Sequence, residues 1–423
     1  MLIIYRCLTF FLFPLFVLLV YVRLFLNKED KLRFKEKIYT SSFKVNRNIE
    51  KKLVWFHAAS IGEFLSVLPL IKEINNYNKN IEFLITSVTL SSAKLVEQKL
   101  NYNKNVTHRY LPLDMEILTS NFLNRWKPDL VCFVDSEIWP NFLFKIKEKK
   151  IPLVLINGRI TKKTFNKWKI FFSFAKKIFN NFDLVFAASE ESKNNLEKLQ
   201  VKNLIYIGNL KFSAQNSFER LSKINKEILD KFKVWCVAST HEGEEIIAIK
   251  THIELKKTYN NILTIIVPRH IDRTSYIRNL SKKFELKTQI LDKNDVINSN
   301  NEILIINSFG VLSEYFDYCD NVFIGKSFVK KLENVGGQNP IEAAKLGCKI
   351  LYGPYVYNFK EVYNFLDSCN ISNQVNNEKE LLTKLIQNLE NPHKTNKQQI
   401  DKLNIYGKKI LQQTMLKLDD YIK

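Results

Sequence analysis

Directly after a short apolar run at residues 53–56 comes His57-Ala58-Ala59-Ser60-Ile61-Gly62-Glu63. The run reads as a buried strand, and Phe64, Leu65, Leu68 and Ile71 continue beyond the turn with helical spacing. A carboxylate at a helix start lies among unpaired N–H groups and the positive end of the helix dipole. That environment is expected to favour the ionised form, so that Glu63 can take a proton from a bound hydroxyl near neutral pH. Ser60-x-x-Glu63 is also a capping box, in which Ser60 caps the helix and Glu63 reaches back to its N–H. The spacing alone leaves both readings open. Gly62, lacking a Cβ, lets a ligand or another backbone come close.

Four further loops place charged or small polar residues just after a strand. Asp135-Ser136-Glu137-Ile138-Trp139-Pro140-Asn141 follows residues 130–134, and two acidic groups there need a partner or solvent. Gly208-Asn209-Leu210-Lys211-Phe212 carries a lysine able to neutralise a leaving phosphate. Pro268-Arg269-His270 offers a guanidinium for bidentate binding of a phosphate or carboxylate. Gly336-Gly337-Gln338-Asn339-Pro340-Ile341-Glu342-Ala343-Ala344 reads as a helix start. Asn339 is expected as its N-cap and Pro340 in its first turn, with the glycine pair giving a ligand access to backbone amides. Glu342 is placed to accept from ribose hydroxyls. There is neither a Walker loop nor a Gly-x-Gly-x-x-Gly after the first strand. His241-Glu242-Gly243-Glu244-Glu245 lacks the second histidine of a zinc-protease helix, so neither a metal nor a cofactor is expected.

These loops need a scaffold, and the hydrophobic pattern supplies one. Apolar runs at residues 53–56, 83–86, 130–134, 153–156, 184–187 and 204–207 alternate with amphipathic stretches such as 91–100. The rhythm restarts at 234–238, 262–267, 303–306, 322–325 and 349–352. Strand–helix alternation means parallel sheets covered on both faces, and therefore an α/β class with two doubly wound domains. Their ligand loops lie at the carboxyl ends of the strands and are expected to face a cleft. The expected boundaries are 1–27, 28–212, 213–400 and 401–423, with a joint near 212–230 and a last helix that returns to brace the first domain.

The 423 residues exceed one ordinary core, and 46% hydrophobic with 25% charged residues is a globular composition. A net charge of +21, from 64 Lys and Arg against 43 Asp and Glu, calls for a polyanionic partner: nucleic acid, an anionic membrane or a phosphorylated substrate. The six cysteines are scattered without a C-x-x-C pair, as in a reducing compartment. Residues 7–22 carry no charge and are bracketed by Arg6 and Arg23. The run is slightly short of the roughly 20 residues of a perpendicular span, which snorkelling arginines can extend. With the basic stretch 28–52 behind it, residues 1–26 read as a single N-terminal anchor or a hydrophobic helix in the interface, with the rest cytoplasmic. A buried helix is the other reading, and Pro14 in mid-run leaves it open.

In order along the chain, many segments resemble the bacterial 3-deoxy-D-manno-octulosonic acid (Kdo) transferases, which add Kdo to lipid A precursors. They are the apolar N-terminus, residues 57–63, residues 135–141, Asn157-Gly158-Arg159 and residues 208–212. The series continues through residues 239–245, Pro268-Arg269-His270, residues 336–344, Gly353-Pro354 and Asn358-Phe359. The resemblance implies a GT-B glycosyltransferase at the cytoplasmic face of the cell inner membrane: an acceptor-binding N-terminal half, a nucleotide-sugar-binding C-terminal half, and inversion without a metal. Its partners would be a CMP-Kdo donor and a lipid A precursor acceptor, lipid IVA, with no nucleic acid.

By that carry-over Glu63 is the general base, and Asp135, Glu137 and Lys211 stabilise the transition state. CMP contacts fall on Pro268, Arg269, Phe309, Gly310, Val311, Asn339, Pro340, Ile341 and Glu342, with Gly336 and Gly337 as the phosphate loop. The chain departs from the family pattern at Asp135, where the usual residue is Glu. The family's Asp-Thr-x-Gly-Glu-Leu is here Asn307-Ser308-Phe309-Gly310-Val311-Leu312, Gln338 stands for His, and Lys326 stands for Gly. Two rivals share parts of this reading: a membrane-associated GT-B enzyme using a UDP-sugar, and a non-catalytic basic protein binding membranes or nucleic acid. The aromatics sit mostly in apolar runs, not interleaved with Lys and Arg as a stacking platform requires.

Overall fold

The computed structural model describes residues 1–41, 43–100, 103–214, 220–391 and 395–423. The chain divides into two compact units, Met1–Gln215 with Tyr406–Lys423, and Asn216–Ile405. Part of the expected joint, residues 215–219, lies outside the described residues.

In the first unit the strands are β1 (Lys52–His57), β2 (Ile81–Ser87), β3 (Val106–Tyr110), β4 (Leu130–Val134), β5 (Leu153–Gly158), β6 (Leu184–Ala187) and β7 (Leu204–Tyr206). They form one sheet in the order β3-β2-β1-β4-β5-β6-β7, parallel throughout. The second unit holds β8 (Lys233–Thr240), β9 (Ile262–Pro268), β10 (Thr288–Leu291), β11 (Ile303–Ile306), β12 (Asn321–Ile324), β13 (Lys349–Tyr352) and β14 (Ser372–Gln374). Their order is β10-β11-β9-β8-β12-β13-β14, again all parallel. In each sheet the chain fills one side of the first strand, with β11 returning between β9 and β10 in the second, and then crosses to the other side. The reversals lie between β1 and β4 and between β8 and β12, where loops splay apart and ligands bind in doubly wound sheets.

Central strands are apolar on both faces because helices cover both, which is why these runs stood out in the sequence. Trp55 on β1 is fully buried, with ring centroids 5.1 Å from Phe122 and 5.6 Å from both Phe133 and Phe142. Each such aromatic removes 150–250 Å² from water, or roughly 4–6 kcal/mol of transfer free energy. The last helix, Lys397–Ile422, ends in the first unit. A Cβ on Gly407 would lie 2.1 Å from the carbonyl oxygen of Phe212, so that glycine lets the helix touch the segment bearing Lys211.

The N-terminal run is not one rod. It forms two helices, Leu2–Phe11 and Phe13–Phe25, bent by 52°, and no single helix among the described residues is long and apolar enough to cross a membrane. Pro14 explains the break: it has no N–H for the carbonyl four residues back, and its ring crowds that turn. The first helix is fastened to the sheet unit. Tyr5 Oη donates to Asp114 Oδ2 at 2.8 Å, and Arg6 pairs with Glu116 at 3.0 Å and Glu148 at 3.2 Å. Val20 of the second helix is buried with Phe34 and Ile38. Ile3, Ile4, Phe11, Leu18 and Phe25 are exposed.

Candidate functional site

Two turns at the switch point of the first sheet bring its acidic residues together. The helix Ile61–Tyr77 begins after β1 with Ser60 as N-cap, its Oγ accepting from the Glu63 N–H at 3.4 Å. Glu63 returns a bond, but one residue further out than the expected box: Ala59 N–H donates to Oε2 at 2.8 Å, and Ser60 Oγ–H donates to Oε1 at 2.8 Å. The carboxyl therefore keeps lone pairs on both oxygens. A Cβ on Gly62 would meet nothing within 4 Å, so the space above this turn is open.

The expected electrostatics are reversed. Burial, the charge of Glu137 and that of Asp135 raise the Glu63 pKa to about 7, against the opposing bonds from Ser60 and Ala59. The helix terminus loses to desolvation and like charge. A base poised there holds and releases a proton near neutrality more readily than an ordinary carboxylate.

Asp135 and Glu137 follow β4 and part company at once. Asp135 is buried in the left-handed region (φ 60°), where its short polar side chain is tolerated. Burial raises its pKa, but the Lys211 ammonium, the charge of Arg159 and the Ser136 hydroxyl outweigh it and hold the carboxyl below its usual value. Lys211 Nζ donates to Asp135 Oδ2 at 2.9 Å. Lys211 itself is set by a 3-10 turn, Leu210–Ser213, capped by Asn209. Asn157 Oδ1 accepts from the Leu210 N–H at 3.0 Å, latching that turn to the end of β5. Glu137 is bound differently: Oε2 accepts from Trp139 Nε1–H at 2.8 Å and lies 3.2 Å from His57 Nε2. The structure thus gathers Glu63, Asp135, Glu137 and Lys211 at the carboxyl ends of the strands of the first sheet. Sequence reasoning missed the roles of His57, Trp139 and Asn157 as their supports, although each lies inside a segment it singled out.

The second unit collects cations at its own switch point. Arg269 follows β9, with its N–H donating to the Thr240 carbonyl at 3.1 Å and its side chain exposed. The His241 and His270 rings meet edge to face at 5.8 Å. Burial and then the charges of Lys326, His270 and Arg269 lower the His241 pKa, although its bond to the Ser239 carbonyl opposes them. Such a cluster invites an anion. Lys326 and Ser239 adopt φ of 60° and 58°, a backbone that costs a lysine about 1 kcal/mol. Beneath them, Glu244 is 2% exposed and accepts four backbone N–H bonds, from His241, Lys326, Ser327 and Phe328, at 2.6–3.0 Å.

Two expectations for the backbone of the nucleotide loop, its helix start and its glycine amides, are corrected. The helix is Ile341–Lys345, with Pro340 at its N-cap and not in its first turn; Asn339 Oδ1 accepts from the Ile341 N–H at 3.2 Å. Gly336 and Gly337 do not offer their amides to a ligand, because those N–H groups donate to Leu332 and Lys326 carbonyls at 2.6 Å. Glycine is required at 336 for packing, since a Cβ there would lie 2.0 Å from the Tyr355 carbonyl oxygen. Glu342 is engaged by Ser313, whose hydroxyl donates to Oε1. Phe309 is exposed, Gly310 has φ 80°, Val311 is buried and Pro268 ends β9.

The family of 3-deoxy-D-manno-octulosonic-acid transferase (kdotransferase) domains matches residues 32–214, which carry the acidic cluster. The chain is 31% identical to the 3-deoxy-D-manno-octulosonic acid transferase of Rickettsia bellii, over 99% of this chain and 97% of that one. It is 31% identical to that of Rickettsia prowazekii, over 91% of each. Among solved structures, a putative UDP-N-acetylglucosamine 2-epimerase from Listeria monocytogenes shares the fold, with a TM-score of 0.59 and 13% identity over 88% of this chain and 96% of that one. With near-full-length similarity added to the arrangement of its strands and turns, the chain belongs to the 3-deoxy-D-manno-octulosonic acid transferase family and is a glycosyltransferase of GT-B-like fold.

Proposed function

We propose that this enzyme moves Kdo from CMP-Kdo to a lipid A precursor during lipopolysaccharide synthesis, with Glu63 as general base. The observation that carries the reading is the half-buried Glu63 carboxyl, its pKa raised to about 7 by burial and two neighbouring carboxylates. Glu63 takes the proton from a sugar hydroxyl of the acceptor. The hydroxyl oxygen then bonds to the anomeric carbon of Kdo as the bond from that carbon to the phosphate oxygen breaks, and CMP leaves as an anion. Attack opposite the leaving group inverts the centre. Arg269 and Lys326 supply positive charge for the cytidylate, and Lys211 keeps Asp135 from adding an unbalanced charge beside the base.

The helices Leu2–Phe11 and Phe13–Phe25 hold the enzyme on the inner membrane, lying along the surface instead of crossing it. Two observations support this mode: Tyr5 and Arg6 tie the first helix to the sheet unit, and its outer face is apolar. The basic residues that follow suit the anionic headgroups of the cytoplasmic leaflet, which supports a cytoplasmic position for the catalytic units.

The test is transfer itself. Purified enzyme given a lipid A precursor and CMP-Kdo yields acceptor heavier by one or more Kdo residues, read by mass spectrometry. Consumption of UDP-sugars in place of CMP-Kdo, or binding without turnover, would refute the proposal.

A further inference from the structure

His57 lies at the end of β1, fully buried, six residues before the proposed base. Its two nitrogens have different partners. Nδ1 is 2.9 Å from Thr86 Oγ1 on β2, and Nε2 is 3.2 Å from Glu137 Oε2. Thr86 Oγ1 also accepts from Trp55 Nε1–H at 2.8 Å, which leaves its own O–H to donate. A carboxylate oxygen facing Nε2 requires the proton there, and Nδ1 then accepts from Thr86. The chain of donors runs Trp55, Thr86, His57, Glu137, and Trp139 Nε1–H adds a second donor to the same Glu137 oxygen.

The second unit holds a close counterpart. Trp235 Nε1–H donates to Thr264 Oγ1 at 2.7 Å, and His252 Nδ1 lies 2.9 Å from the same hydroxyl. There, however, the far nitrogen of His252 is buried without a hydrogen-bond partner among the described residues. A Trp–Thr–His trio is therefore compatible with core packing alone. Only in the first unit does it end on a carboxylate beside the base.

We propose that His57 is a positioning residue: by donating from Nε2 it holds Glu137 as a carboxylate beside Glu63, and so sets the strength of the base. This rests on the reading of Glu63 as the base. The groups facing Glu63 are the Ala59 N–H, Ser60, Glu137 and Asp135, and the charge of Asp135 is matched by Lys211. Glu137 is faced by His57, Trp139 and Glu63, and no lysine or arginine among the described residues forms an ion pair with it. The two ring N–H donors hold its oxygen in place by hydrogen bonds, where a lysine would add a full ion pair. Losing the His57 donor lets Glu137 take up a proton or turn away, and Glu63 becomes the more acidic, weaker base.

The experiment is the pH dependence of kcat in the full-length enzyme for His57→Leu, His57→Gln, Trp139→Phe and Glu63→Gln. His57→Leu is expected to move the acidic limb down by about one pH unit and lower kcat roughly tenfold or more, with both KM values within about threefold. His57→Gln, whose amide can donate from a similar place, restores part of both. Trp139→Phe, which removes the other donor to the same oxygen, moves the limb the same way by less. If His57→Leu does not fold, the Trp139→Phe limb decides, and an unmoved limb there overturns the proposal. An unmoved limb in folded His57→Leu does so too, because a merely structural histidine lowers activity without shifting it. Glu63→Gln separates the two claims. If it turns over with the wild-type limb, the base reading fails; if it is inactive while His57→Leu keeps its limb, only the positioning role fails.

Discussion

Glu63 and Glu244 occupy the same place in two sheets of the same kind, yet they are held in opposite ways. Each follows the first strand of its sheet by a short turn, and each reaches back toward that turn: to Ala59 N–H in one unit and to His241 N–H in the other. Glu244 is buried under four amide donors that stitch the turn after β8 to the turn after β12. Its lone pairs are used up, and it is a structural strut. Glu63 has two donors, partial exposure and two carboxylates for neighbours. Proton transfer needs that incomplete satisfaction. The difference lies in what surrounds the carboxyl and not in its position after the strand.

The sharpest way to break the comparison is to neutralise the unsaturated member. Glu63→Gln is expected to lower kcat by roughly 100-fold or more, read as Kdo transfer with nucleotide binding intact. The same change should stabilise the first unit above pH 7. A carboxyl whose pKa is raised from its unfolded value binds more protons when folded, so its contribution falls as pH rises from about 4.5 to about 7 and stays lowered above that. Allowing for solvent screening, the gain is on the order of 1 kcal/mol at pH 8 and vanishes below about pH 4.5, read from thermal unfolding at both pH values.

Glu244→Ala should do the reverse. It strands four backbone donors and is expected to cost about 3–5 kcal/mol of stability, seen in the denaturant midpoint. A variant as stable as the parent would erase the distinction drawn here. The smallest effect is at Arg269, exposed at the end of β9. Arg269→Ala should weaken CMP binding about tenfold by calorimetry while stability moves by less than about 0.5 kcal/mol. Unchanged affinity would remove the cation cluster from the nucleotide's reach.

Much of the scaffold was legible because buried parallel strands are written as uninterrupted apolar runs. Residues 130–134, 184–187, 303–306 and 349–352 coincide with β4, β6, β11 and β13. The strands that escaped notice, β3, β10 and β14, lie toward or at sheet edges. Val106-Thr107-His108-Arg109-Tyr110 mixes polar with apolar side chains because that strand lies next to Arg33 and Lys37, which meet the Tyr110 ring at about 5 Å.

The site was legible as a set of loops but not as a set of bonds. Residue type marked Glu63, Asp135, Glu137 and Lys211, yet only the sheet order shows that β1 and β4 are neighbours. His57 and Trp139 were invisible as supports because a histidine ending a strand and a tryptophan in a turn are ordinary core residues until a carboxylate is found between them. The glycine pair at 336–337 misled in the other direction. Its signal was close approach, and the partner proved to be the protein's own backbone.

One measurement bears on the central claim most directly: the titration of the Glu63 carboxyl by carbon-13 NMR, assigned by difference against Glu63→Gln. The account predicts a midpoint of about 7. A midpoint in the ordinary range, near about 4.3, would mean that burial and the neighbouring carboxylates do not govern this group. Glu63 would then be a capping residue like any other.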